Sequence, residues 1–139
     1  MSKKPVVAAA IFDFSADEPR ILAASRAYPE DLRGRFELPG GKIEPDEQPY
    51  EALLREIREE LGCTIQPDRP VLSDSEDGAW PILDDRKMYV WLAEAIETPE
   101  PSKDHLELRW VTRREARNLD WLKPDIPIVK AAFDLLYQN

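Results

Sequence analysis

Hydrophobic and polar positions along this chain fall into blocks that read as strands first, then a helix, then strands and helices again. Residues 5–14 are rich in Val, Ala, Ile and Phe and predict a buried strand. Residues 15–19 are a polar turn, and residues 20–25 return as a second strand. After a polar loop over 26–35, Phe36-Glu37-Leu38 alternates apolar, polar, apolar as a short strand. It runs into Pro39-Gly40-Gly41, where two glycines allow a close approach of backbone to a ligand or a positive φ. A helix follows, with Asp46 as N-cap, Pro49 in the first turn and Gly62 as the stop. Tyr50, Leu54, Ile57 and Leu61 gather on one side of it as a core anchor. Glu56, Glu59 and Glu60 project from another, within about 100° of arc at 3.6 residues per turn.

Downstream, residues 73–85 predict an acidic, exposed loop. Residues 87–96 form a strand, 98–103 a Pro-containing loop, and 106–111 the next strand. Thr112-Arg113-Arg114-Glu115 has the form of a capping box that opens a short helix. Asp125 is placed to cap a last helix to Tyr137, with Ile126, Val129, Phe133 and Leu136 on its inner stripe. This order predicts the α+β class, a mixed sheet flanked by helices. No internal repeat or long linker divides the chain, so one domain over residues 1–139 is expected.

Bulk properties narrow the chemistry. A chain of 139 residues is long enough for a real core, and its formal net charge of −9 argues against gripping a nucleic-acid polymer through its phosphates. A small phosphorylated substrate stays compatible, because a bound metal and a few local cations reverse the field. One cysteine cannot form an internal disulfide, which suits a reduced, cytoplasmic setting; Cys63 reads as a small buried residue after the helix. The start, Met1-Ser2-Lys3-Lys4-Pro5, is not followed by an apolar stretch long enough for a signal peptide or membrane span. No membrane partner is expected, and a monomer is the expected state.

Three carboxylates fixed at one spot repel each other unless a cation neutralises them. Oxygen ligands of this kind suit Mg²⁺, or Mn²⁺ as a substitute. An acidic, solvated helix face would account for the three glutamates alone. The wider pattern is more specific: Gly41, five residues, Glu47, seven residues, then Arg55-Glu56-Ile57-Arg58-Glu59-Glu60-Leu61-Gly62-Cys63. It resembles the Nudix hydrolase motif at every fixed position, with Cys63 where an aliphatic residue is usual.

That resemblance implies an α/β/α sandwich and metal-dependent hydrolysis of a nucleoside diphosphate linked to another group. By it, Glu56, Glu59 and Glu60 are the metal ligands, with the Gly41 carbonyl as an additional one. Glu47 supports this shell, and Arg55 orients a glutamate through an ion pair. Glu56 and Glu59 are the candidate catalytic residues, with Asp104.

Arg26, with ten residues between it and the Glu37-Leu38-Pro39-Gly40-Gly41-Lys42 run, resembles the MutT-type branch, which converts nucleoside triphosphates to monophosphates and pyrophosphate. The matching arginine in that branch contacts the nucleotide. Lys42 stands where it could approach phosphate, or is an exposed loop lysine. The segment from Asp104 to Val111 resembles the one that supplies an extra acidic residue, usually Glu; Asp104 is one methylene shorter. His105 is read as a loop residue making an ordinary hydrogen bond, with proton carriage as the alternative.

In Trp121-Leu122-Lys123-Pro124-Asp125-Ile126-Pro127, Asp125 resembles the bacterial CTP and 5-methyl-dCTP pyrophosphohydrolases, whereas guanine-reading members carry Asn. An ionised carboxylate accepts from the cytosine amino group. Cytidine nucleotides are therefore expected, with 8-oxo-dGTP as the alternative substrate. A nucleotide-sugar or ADP-ribose hydrolase and a non-catalytic nucleotide sensor are the competing readings; the intact glutamates weigh against the sensor.

Overall fold

The computed structural model describes residues 3–138; Met1 and Ser2, part of the opening read as leaderless, and Asn139 lie outside them. In chain order the elements are β1 (Val6–Asp13), β2 (Arg20–Arg26), β3 (Phe36–Glu37), β4 (Gly40–Lys42), α1 (Pro49–Leu61), β5 (Ile65–Val71), β6 (Trp80–Pro81), β7 (Lys87–Ala95), β8 (His105–Thr112), α2 (Arg113–Arg117) and α3 (Asp125–Tyr137). The sheet follows the path β3-β2-β1-β7-β5, with β4 paired to β1, β6 to β7 and β8 to β2. β1 and β7 run parallel and the other named pairs are antiparallel, which makes the sheet mixed.

β1 lies at the centre and is covered on both faces. Ala8, Ala10 and Phe12 join a cluster with Leu92 of β7 and with Ile128 and Phe133 of α3. Val7, Ala9 and Ile11 point the other way, to Leu53, Ile57 and Leu61 of α1. A strand buried on both faces needs apolar residues at every position, which accounts for the unbroken run in the sequence. Each fully buried Ile or Leu contributes about 1.5–3 kcal/mol relative to exposure. Helices thus flank the sheet on both sides, in the α+β class.

The structure corrects several details. α1 begins after Gln48, whose backbone N–H donates to Glu51 at 2.9 Å, so Gln48 and not Asp46 is the N-cap. Its buried residues are Leu53, Ile57 and Leu61 with Ala52, while Tyr50, three residues before Leu53 on the same side, is in the first turn and exposed. On α3 the buried residues include Ile128, Val129, Ala132, Phe133 and Leu136, and Ile126 faces solvent. Asp125 is no cap: it is the first helical residue and its side chain makes no capping hydrogen bond.

β5 has no counterpart in the sequence reading. Pro67 and Pro70 break its pattern, and they are tolerated because β5 ends the sheet path, where the backbone groups that proline removes have no second strand to pair with. The capping box is present: Glu115 N donates to Thr112 Oγ1 at 3.2 Å and Thr112 N donates to Glu115 Oε1 at 2.9 Å. The 73–85 loop carries β6 and buries Ala79, so it is exposed only in part. Among the described residues no helix is long and apolar enough to cross a membrane.

Candidate active site

The site forms where β4 pairs beside the start of β1 and meets the acidic side of α1. Neither Gly40 nor Gly41 has a positive φ, so conformational freedom is not why glycine stands there. Space is. A Cβ on Gly40 would overlap the Val7 backbone carbonyl, and one on Gly41 would overlap the Glu56 carboxylate. These contacts press β4 onto β1 and bring the Gly41 backbone against α1.

Arg55 organises the carboxylates beside this junction. Its Nε and Nη2 bind both oxygens of Glu47, at 2.6 and 2.8 Å. Nη1 donates to Glu59 at 2.8 Å and to Glu56 at 3.1 Å, and Nη2 reaches the Lys42 carbonyl at 3.1 Å. Hydrogen bonding to Arg55 and to the Glu44 N–H pulls the Glu47 carboxyl down to about 2. Glu56 is held above the usual carboxylate range, because burial outweighs its contact with Arg55. Glu60 turns away from Arg55 toward the cleft. Burial, with the charges of Glu37, Glu56 and Asp104, pushes its carboxyl up to about 8.

A cleft of about 270 Å³ opens between β1, β4 and the start of α3. Arg26, Gly41, Lys42, Glu60 and Asp125 all line it; Glu56, Glu59 and Asp104 do not. Arg26 donates to Glu37 Oε1 at 3.1 Å and to the Tyr28 carbonyl at 2.9 Å. Lys42 has no ion-pair partner among the described residues. Asp125 is 6% exposed, and its Oδ2 accepts from the Leu38 backbone N–H at 2.8 Å. Burial pushes its carboxyl up to about 7, against the pull of that hydrogen bond.

Asp104 sits at the cleft's flank, where its Oδ1 accepts from the Tyr28 hydroxyl at 2.7 Å and its carbonyl from Ala27 N at 3.0 Å. His105 is not a loop residue with an ordinary hydrogen bond. It opens β8, is buried, and its Nε2 lies 3.4 Å from Glu60 Oε2. Burial holds the imidazole below its usual range. Glu60 raised and His105 lowered both weaken ion pairing across this contact.

Sequence reasoning gave no role to Glu37, Ile82 or Leu83, which also line the cleft. Glu37 carried a signal, a charge between two apolar residues on a short strand. Ile82 and Leu83 carried none, since only folding brings their loop across to the site.

The donors fit a hard divalent ion in kind. Glu56, Glu59 and Glu60 offer oxygen only, and Glu60 Oε2 is buried without a hydrogen-bond partner. As they stand, no three His, Cys, Asp or Glu side chains among the described residues converge on one point. Glu56 and Glu59 are turned to Arg55 instead.

A profile of the NUDIX domain family matches residues 3–133. The CTP pyrophosphohydrolase of Escherichia coli K12 is 32% identical over 112 residues, covering 81% of each chain. The 8-oxo-dGTP diphosphatase of the same organism is 44% identical over 46 residues, covering 33% of this chain and 36% of that one. Among solved structures, the E. coli ORF135 protein superposes with a TM-score of 0.74 at 32% identity, covering 97% of this chain and 91% of that one. A MutT protein from Methanosarcina mazei shares the fold at a TM-score of 0.73 and 22% identity, with 100% of both chains covered.

Proposed function

The chain belongs to the Nudix family and is a Nudix pyrophosphohydrolase, and from that premise we propose that it converts a nucleoside triphosphate to the monophosphate and pyrophosphate, with cytidine nucleotides as preferred substrates. One observation carries the choice of base. Asp125 sits in the cleft with Oδ2 already held by Leu38 N–H, which leaves Oδ1 for a ligand. In a dry pocket its ionised form makes a charge-assisted bond to the cytosine amino group, roughly twice as strong as a neutral one. The E. coli relative named for CTP supports the same reading.

Glu56, Glu59, Glu60 and the Gly41 carbonyl would hold Mg²⁺, or Mn²⁺ in its place. When bound, the ion supplies charge neutralisation at the phosphates and an acidified water. Around it the chain's own groups position the reactants. Arg55 keeps Glu56 and Glu59 at hand through one guanidinium, and Glu47 anchors that guanidinium from behind. Arg26, steadied by Glu37, faces the nucleotide, and the unpaired Lys42 ammonium faces phosphate. Asp104, fixed by Tyr28, adds an acidic group near Glu60 that orients water.

The test is hydrolysis of CTP, UTP and 8-oxo-dGTP with Mg²⁺ in ¹⁸O-labelled water, with products read by mass spectrometry. Monophosphate and pyrophosphate are expected, fastest from CTP. Orthophosphate as the only primary inorganic product would contradict the reaction. Glu59→Gln is expected to keep the fold and lose most turnover; near-normal turnover would remove Glu59 from the site. A strong preference for 8-oxo-dGTP, the activity named for the second E. coli relative, would overturn the base assignment alone.

A further inference from the structure

We propose that His105 is a positioning residue that holds Glu60 at the cleft, aimed there by a bulge in β8. The inference rests on the reading of Glu60 as a ligand of the ion. Successive side chains on a strand point to opposite faces. On β8, Val111 packs in the cluster on the α3 side, whereas Leu108 and Trp110 pack against the cluster on the α1 side. In an unbroken strand His105 shares the parity of Val111 and would face α3, away from Glu60.

The pairing with β2 changes that. Ala24 stands opposite Leu108, yet Arg26, two residues further along β2, stands opposite His105, three residues back along β8. The extra residue on β8 reverses the alternation, as a bulge does when it re-aims a side chain. Buried Ser25 pins it, its hydroxyl accepting from Glu107 N at 3.0 Å. His105 consequently shares a face with Arg26 and α1.

Its imidazole is 2% exposed, with Nε2 3.4 Å from Glu60 Oε2. Neither Glu60 Oε2 nor His105 Nδ1 has a hydrogen-bond partner. A neutral imidazole donates from one nitrogen only. With the proton on Nε2, the acceptor beside it is Glu60 Oε2; at 3.4 Å the two make no hydrogen bond as they stand, and the bond closes only when the Glu60 carboxylate turns toward the imidazole. An apolar side chain would fill this buried place without the cost of desolvating two ring nitrogens, so packing alone does not account for histidine. Partners that orient a ligating carboxylate typically carry about 10–100-fold in metal affinity.

The test uses the full chain and Mn²⁺ alone, with free Mn²⁺ read by electron paramagnetic resonance and folding checked by circular dichroism. A glutamine at position 105 places its amide N–H near the imidazole Nε2, whereas an asparagine reproduces only Nδ1. His105→Asn is expected to weaken Mn²⁺ binding about tenfold, and His105→Gln to bind within about threefold of the parent. In a Glu60→Gln background His105→Asn should cause no further loss, since the two residues act as one unit. Parent-like affinity in folded His105→Asn, equal losses in both variants, or an undiminished loss in the Glu60→Gln background would overturn the proposal. If His105→Asn does not fold, His105→Leu takes its place with the same expected loss. Unchanged Mn²⁺ affinity in Glu60→Gln with His105 intact would instead remove the ligand reading, and this inference with it.

Discussion

At the floor of the cleft, the charge on one carboxyl decides which base edge it can meet. Burial raises Asp125 from the ordinary 3.8 to about 7, so its ionised fraction climbs from about 10% at pH 6 to about 90% at pH 8. Ionised, it accepts from the cytosine amino group; protonated, it donates to the uracil carbonyl. The ratio of kcat/KM for CTP over UTP is therefore expected to rise with pH between 6 and 8, by at most about a hundredfold, because the ionised-to-protonated ratio climbs from about 0.1 to about 10. In Asp125→Asn the ratio should stay flat. Stability follows the same group with a definite sign. Between pH 4 and 7 the unfolded chain has released this proton while the folded chain keeps it, so Asp125 lowers stability as pH rises across that window. Asp125→Asn keeps an acceptor for Leu38 N–H without the charge. Relative to the parent it should gain on the order of 2–4 kcal/mol on going from pH 4 to pH 8, measured by urea unfolding. A gain that does not change with pH would show that Asp125 ionises freely.

The elements around the site differ in how much they can give, and the two adjacent glycines separate those limits. An added Cβ at Gly40 meets backbone, the Val7 carbonyl, which cannot move without parting β4 from β1. At Gly41 it meets the far end of Glu56, a side chain that can swing away. Gly40→Ala is expected to cost about 3 kcal/mol or more in thermal unfolding, in the range of overpacked sites. Gly41→Ala should melt within about 1 kcal/mol of the parent yet lose most turnover, because Glu56 is displaced. Equal effects on stability would show that the contact with Glu56 has no special part in the site. The presence of both glycines was plain in the sequence. Their reason was not, because Val7, 33 positions from Gly40, and Glu56, 15 positions from Gly41, define the missing space only once packed.

Across the whole molecule, a net charge of −9 and carboxyls raised by burial in the site work against the compact state without a cation. Mg²⁺ or Mn²⁺ should therefore raise the melting temperature. The gain expected at a hundredfold excess over Kd is about 2.7 kcal/mol, reversed by EDTA. Glu59→Gln should lose much of that gain while melting at or above the parent temperature in metal-free buffer. A melting temperature indifferent to either ion would count against a metal site in this cluster. A single unit over the chain should unfold in one cooperative transition.

The sequence by itself determined the order of the main elements, because hydrophobic period and punctuation by Pro, Gly and capping residues are local quantities. β1, α1 and the Thr112–Glu115 capping box were legible for that reason, as was the spacing that carries the family resemblance. β5 was hidden by two prolines whose tolerance depends on lying at the sheet's edge. Spacing found Ile57 and Leu61 on α1 and Val129, Phe133 and Leu136 on α3, but packing decided that Leu53 rather than Leu54 is fully buried and that the first-turn residues Tyr50 and Ile126 are exposed. Asp125 reads locally as a helix cap, yet its partner is Leu38 N, 87 residues away in sequence. His105 faces Glu60 because β8 slips by one residue against β2. Burial, register and long-range hydrogen bonds belong to pairs of distant segments, so only the tertiary structure could fix them.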